Sequence, residues 1–296
     1  MEIKKTEGVS SQKNAFNPAR AIVIIIIFMI VVWGIWFAVS KIRSGAGKDV
    51  AGIGSNIASS SLPSKNKDEQ KPLPPDSFYK NYVKIMKSSG ALETYADKET
   101  IEIKVMQSNL SAVDISNWKF VNSNGDEAII GRSTEIPTGG KVNQTAPTYV
   151  KGGDTLIVSS GHSPIGISFQ TNLCTGYFEQ FQDFIPPLML RCPQPTSLES
   201  FRTLERDCQN FIRTIPQCTT NTKPFPAGTS AGCKAFVMSA ASYNGCVTEN
   251  RGKIQFTLPE WRIYLGRDKE LWAQPKDTVI LLDSDGKLID SVKYGK

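Results

Sequence analysis

The sequence predicts a mostly β protein: a β-sandwich interrupted by a disulfide-rich α-helical insertion and preceded by one transmembrane helix. Three observations carry that reading. An uncharged run from Ala21 to Ser40 is long enough to cross a bilayer. Short alternating apolar runs, separated by turn residues, recur between Tyr82 and Val158 and again after Asp277. All six cysteines fall between Cys174 and Cys246, around a stretch whose apolar residues repeat at helical spacing.

The first element is the run AIVIIIIFMIVVWGIWFAVS, residues 21–40. At about 1.5 Å per residue it spans roughly 30 Å, the hydrocarbon thickness of a bilayer. A buried core helix is seldom apolar on every face for that length. Ala38-Val39-Ser40 would serve as a small-x-small cleavage site, so a cleaved signal peptide competes. The run exceeds the usual ~7–15-residue signal core, and a polar tail, residues 1–20, precedes it. An uncleaved signal anchor is therefore the favoured reading. Lys4, Lys5, Lys13 and Arg20 before the run balance Lys41, Arg43 and Lys48 after it, so flanking charge gives no orientation. The cysteines do. An even, clustered set suggests disulfides and an oxidising compartment. There is no Cys-x-x-Cys and the single histidine is His162, which makes zinc the weaker reading. The expectation is a single-pass cell-membrane protein with residues 1–20 cytoplasmic and the C-terminal bulk extracytoplasmic.

Residues 41–77 read as a flexible tether rich in Gly, Ser, Pro and Lys, stiffening at Lys71-Pro72-Leu73-Pro74-Pro75. Strand signals follow at Tyr82–Ile85, Ile101–Val105, Val113–Phe120, Ala128–Ile130 and Thr155–Val158. Short runs at this spacing indicate an antiparallel sandwich or barrel. A long helix is then expected from Pro195 to Ile215. Thr196 and Glu199 have capping-box spacing, and Leu198, Phe201, Leu204, Cys208, Phe211 and Ile215 recur on one face. A shorter helical stretch is expected around Lys234 to Ser242. Last, Thr278–Asp283 and Lys287–Val292 flank Asp285-Gly286, a hairpin signal. A lone hairpin is barely stable, so it must pair with the earlier strands. The economical organisation is one sandwich, residues 78–170 and 254–296, interrupted by a cysteine-rich insertion over 171–253.

Three blocks resemble the lamin-tail domain family. Val113-Asp114-Ile115-Ser116-Asn117-Trp118-Lys119-Phe120 followed by Asn124-Gly125 is similar to its "hydrophobic-x-Ile-x-Gly-Trp-x-Leu…Gly" strand pair. Gly153-Asp154-Thr155-Leu156-Ile157-Val158 is similar to its "Gly-Asp-x-hydrophobic" strand, and Asp277 to Tyr294 to its closing hairpin. Asn117 stands where the family usually has glycine, and asparagine tolerates left-handed backbone. The resemblance implies an immunoglobulin-like β-sandwich with Trp118 packed between the sheets, the chain turning a corner at Ser116-Asn117. It implies protein or nucleic-acid contacts in general. The segments around Cys174–Cys192 and Glu260–Arg267 are similar to blocks of membrane-anchored bacterial members, for which no activity follows. Fifteen pairings of the cysteines Cys174, Cys192, Cys208, Cys218, Cys233 and Cys246 are open. Cys174–Cys192, flanking a proline-kinked loop, is the expected first bridge.

No catalytic motif stands out. His162 lies in a Ser/Gly/Pro turn without a Gly-x-Ser-x-Gly elbow. Asp283-Ser284-Asp285-Gly286 starts like a calcium loop, but its glycine comes too early and no glutamate closes it, so a turn is favoured. Neither a metal nor a cofactor is expected. The net charge of +6 is spread along the chain, which favours a solvated surface beside anionic lipid over a nucleic-acid patch. Tyr177, Phe181, Arg191, Trp261, Arg262, Tyr264 and Arg267 form a candidate binding face, with a seam between insertion and sandwich as the competing reading. The expected function is a membrane-anchored extracytoplasmic binding or scaffolding module without catalysis, contacting protein or polymer at the envelope. An envelope hydrolase with a site in the insertion, to be tested by substituting His162, Asp183, Glu179 and Glu260, or a nucleic-acid-capturing surface protein, is the alternative.

Overall fold

The computed structural model describes residues 73–106, 111–138, 140, 142–272 and 275–295. The expected anchor at 21–40 and most of the tether at 41–77 lie outside the described residues. No helix among the described residues is long and apolar enough to cross a membrane.

The described chain is mostly β. Its strands are β1 (Val83–Met86), β2 (Thr100–Val105), β3 (Val113–Asp114), β4 (Lys119–Val121), β5 (Glu127–Ile129) and β6 (Ser133–Thr134). They continue as β7 (Tyr149–Val150), β8 (Thr155–Ser159), β9 (Ser168–Asn172), β10 (Thr257–Tyr264), β11 (Asp277–Leu282) and β12 (Leu288–Tyr294). One sheet has the order β1-β2-β8-β10-β9-β6, a second β12-β11-β4-β5, and a small third pairs β3 with β7. The alternation read from sequence falls on these strands: β1 and β11 bury every second residue. Val83, Ile85, Ile101, Ile103, Leu156 and Ile263 from the six-stranded sheet meet Phe120, Val279, Leu281 and Ile289 from the four-stranded sheet in one core. Two β layers sharing one core are compatible with a sandwich.

The phase slip at Ser116-Asn117 is a tight turn that moves the chain between sheets. The Trp118 amide donates to the Ile115 carbonyl at 3.1 Å, and Asn117 sits at φ 69°. That left-handed position is where glycine or asparagine is tolerated. The turn delivers Trp118 into the core, 2% exposed and 5.2 Å from the Tyr79 ring. At the other end, Asp283 closes the hairpin between β11 and β12. Its Oδ1 accepts from the amides of Asp285 and Lys287, and Gly286 takes φ 77°. The carboxylate thus serves the turn.

β10 enters between β8 and β9, parallel to β8 and antiparallel to β9. Thr257 pairs with Asn172. Everything between them, residues 173–256, is therefore the loop of one large β-hairpin. This loop holds α1 (Arg206–Arg213), α2 (Ala231–Ala240) and α3 (Tyr243–Asn250). The long helix expected from Pro195 is absent. Two 3-10 turns, Pro195–Ser197 and Glu199–Thr203, precede α1. Leu198 and Leu204 adopt extended backbone, with ψ 143° and 155°, and interrupt the helical ladder. Thr196 bonds the Gln194 side chain instead of capping a helix. The apolar periodicity is nevertheless used: Phe201, Cys208 and Ile212 pack with Cys233, Val237 and Ala241, and Leu204, Phe211 and Ile215 border that cluster.

Three disulfides are present: Cys174–Cys246, Cys192–Cys218 and Cys208–Cys233. The Cys174–Cys192 bridge expected from the sequence does not form. Pairing of β9 with β10 brings the two ends of the insertion together, so Cys174 lies at the neck of the hairpin beside Cys246 of α3, their Cα atoms 5.8 Å apart.

Candidate functional site

The insertion presents a stiff proline-containing loop on β9 and β10. Phe184 and Leu188 anchor it, buried against Phe169 of β9. The Phe169 and Phe184 rings meet edge-on at 5.9 Å. Between these anchors the Ile185–Pro186 peptide is cis. Arg262 of β10 clamps the same turn. Its guanidinium donates to the carbonyls of Pro186 and, at 3.2 Å, Pro187. Its Nε donates to Glu260 at 2.8 Å. The side chain is only 3% exposed. The Pro186 and Pro187 carbonyls lie outside every strand, and a buried guanidinium needs several acceptors, so each satisfies the other. Glu179 accepts from the Leu188 amide.

Two buried anchors and a clamp leave the remaining side chains facing out. Phe181, Met189 and Leu190 are 59%, 60% and 56% exposed, and Ile185 is 38% exposed. Arg191 follows them and is exposed as well. Exposed large apolar residues thus recur along one loop whose backbone packing holds in place, an arrangement that suits an interaction site.

The sequence-derived binding face divides. Phe181 and Arg191 stand on this outer surface. Trp261 is in the main core, its Nε1 donating to Asp154 at 3.2 Å. Tyr177 is buried in the insertion. Arg262 is the clamp, and half-buried Tyr264 packs beside the Phe169 cluster, where burial raises its phenol pKa. Arg267 lies elsewhere, donating to the Glu127 carbonyl at 3.2 Å. Sequence reasoning missed Ile185, Met189 and Leu190. The available signal was Leu188-Met189-Leu190, too short an apolar run for a strand and placed directly after Pro186-Pro187.

A second feature is a cleft of about 390 Å³ inside the insertion. Tyr177, Pro193, Pro195, Arg213, Pro216 and Cys218 are among its lining residues. Burial pushes the Tyr177 phenol up to about 12.

Titratable groups elsewhere organise loops. His162 Nε2 lies 3.1 Å from Asp268, both exposed, and no serine hydroxyl bonds the imidazole among the described residues. Among the described residues no three His, Cys, Asp or Glu side chains are grouped to hold a metal ion. Glu99 is fully buried. Its carboxylate accepts from the amides of Leu271 at 2.7 Å and Trp272 at 3.1 Å, and from the Ser160 hydroxyl. Desolvation raises its pKa above the ordinary value near 4.5 despite these bonds. With a raised folded-state value, the native protein keeps a proton that the unfolded chain has released. The resulting stabilisation is complete below the unfolded pKa and is lost as pH rises through the folded one. Relative to Glu99→Gln, the wild type should therefore lose stability as pH rises above about 4.5. Urea midpoints of the pair, measured across pH, would show this; a constant difference would refute it.

Comparison with protein-family models, with curated proteins and with solved structures finds no match for this chain.

Proposed function

We propose that this chain is a membrane-anchored, extracytoplasmic binding or scaffolding module whose contact surface is the proline loop 181–191. One observation carries the reading. Phe181, Ile185, Met189 and Leu190 are exposed on a loop that Arg262, Phe184 and Leu188 hold rigidly. Apolar residues on pre-organised backbone lose little conformational entropy on binding, so they suit an apolar groove on a protein partner.

The rest of the reading rests on supporting features. Three disulfides fit an oxidising compartment. The apolar run 21–40 supports the anchor, and residues 41–77 would let the module range some tens of ångströms from the bilayer. An immunoglobulin-like sandwich of lamin-tail type is supported by Trp118 in the core, by Asn117 at φ 69° in the position where that family has glycine, and by the closing β11–β12 hairpin.

The test places a photoreactive amino acid at Met189 in living cells, with Met238, exposed on α2, as the control position. A discrete covalent adduct is expected from position 189 and not from 238. Leu190→Asp should reduce it about tenfold or more, since loss of one apolar hot-spot residue commonly costs about 2 kcal/mol. Adducts of equal yield at both positions, or indifference to Leu190→Asp, would remove the loop as the contact surface.

A further inference from the structure

The cleft within the insertion carries a second inference, independent of the proline loop. Tyr177 is 3% exposed, yet its hydroxyl has no hydrogen-bonding partner among the described residues. It is also not among the side-chain polar atoms sealed from solvent without a partner, of which Trp272 Nε1 is the one case among the described residues. The hydroxyl therefore keeps some access to solvent, and Tyr177 is one of the residues lining the cleft. A hydroxyl that meets only solvent is free to donate to a ligand that displaces the water.

The rest of the lining indicates what would meet it. Arg213 is the only charged residue on the cleft, and no carboxylate lines it. Among the described residues Arg213 makes no ion pair. It lies over the Phe201 ring at 5.2 Å and donates to Asn210 at 3.2 Å. Pro193, Pro195 and Pro216 contribute apolar faces. A cleft of about 390 Å³ lies in the size range of small-ligand sites. We propose that it binds a small organic carboxylate bearing an apolar ring or chain. The Tyr177 hydroxyl donates to the carboxylate, Arg213 supplies the balancing charge, and the prolines contact the apolar part. The same chemistry occurs in a free acid and at the C-terminal residue of a peptide.

The test is calorimetric titration of the full chain in detergent with N-acetylphenylalanine, N-acetylphenylalaninamide and the tripeptide Ala-Ala-Phe. Saturable binding of N-acetylphenylalanine is expected, with the amide at least tenfold weaker because its charge is gone. Tyr177→Phe removes one hydroxyl and leaves the ring in place. It should weaken binding about tenfold at an unchanged denaturation midpoint, and Arg213→Gln should do the same. Binding of the tripeptide as tight as that of the single residue assigns the site to chain ends; its exclusion assigns a free acid. No saturable binding of either acid, equal binding of acid and amide, or full binding by Tyr177→Phe would overturn the proposal.

Discussion

Replacing both Cys174 and Cys246 with serine is expected to destabilise the protein by about 4 kcal/mol, the entropy of closing a loop of this length. The bridge spans 72 residues, against 26 and 25 for the other two. On chain entropy it is therefore the most stabilising of the three. It also sits at the neck of the insertion, where Asn172 of β9 pairs with Thr257 of β10. Its loss should free the insertion before the sheets melt. Denaturant unfolding followed by tryptophan fluorescence and by limited proteolysis would register both effects. Early cleavage within 173–256, ahead of the main transition, is the expected pattern. Coincident transitions at the wild-type midpoint would show that packing of Tyr177, Tyr243 and Phe256 holds the neck unaided.

Trp118→Ala is the second large effect, expected at about 3–5 kcal/mol. The side chain lies in the shared core beside Tyr79, and its backbone is fixed on both sides. Its amide bonds Ile115, and its carbonyl accepts from the Ile130 amide at 2.9 Å. Removing the indole from this core leaves a cavity whose cost adds to the lost burial. A companion change separates packing from backbone. Asn117→Val should cost about 1–2 kcal/mol, because a β-branched residue resists φ 69°, while Asn117→Gly should be close to neutral. Urea midpoints of the three variants provide the measurement. A Trp118→Ala loss below about 1 kcal/mol would mean that the indole is not a core plug.

Much of the β framework was legible because its strands face one core and solvent, which writes an alternating pattern. The Ser116-Asn117 turn was legible because a phase slip must be resolved by a corner. β9 was not. Its residues Ser168-Phe169-Gln170-Thr171-Asn172 are all buried, and the polar ones bond across to Leu258, Glu260 and Tyr243. Such a strand neither alternates nor runs apolar. β10 hides similarly, since Arg262 reads as a surface residue until two proline carbonyls are found beside it. The helix expected from Pro195 failed because periodicity reports which residues share a core and says nothing of the backbone that brings them there. The disulfide pairing depended on the β9–β10 neck, a contact between residues far apart in sequence. The outward surface of Met189 and Leu190 required knowing which loop residues were already taken as anchors.

The place of β10 in the six-stranded sheet sets an order of events during synthesis. β8 and β9 are made early, but the strand that fills the gap between them begins at Thr257, after the whole insertion. Until then β2 and β8 can pair while β9 has no antiparallel neighbour. Completion awaits a contact of long sequence separation, and such contacts slow folding. Oxidation of Cys174 with Cys246 would shorten that wait. It tethers the end of β9 to the helix that leads into β10, turning a distant encounter into a local one. The bond that stabilises the finished protein would thus also speed its assembly, and the rate at which the sheet closes would depend on the redox state of the compartment in which the chain folds.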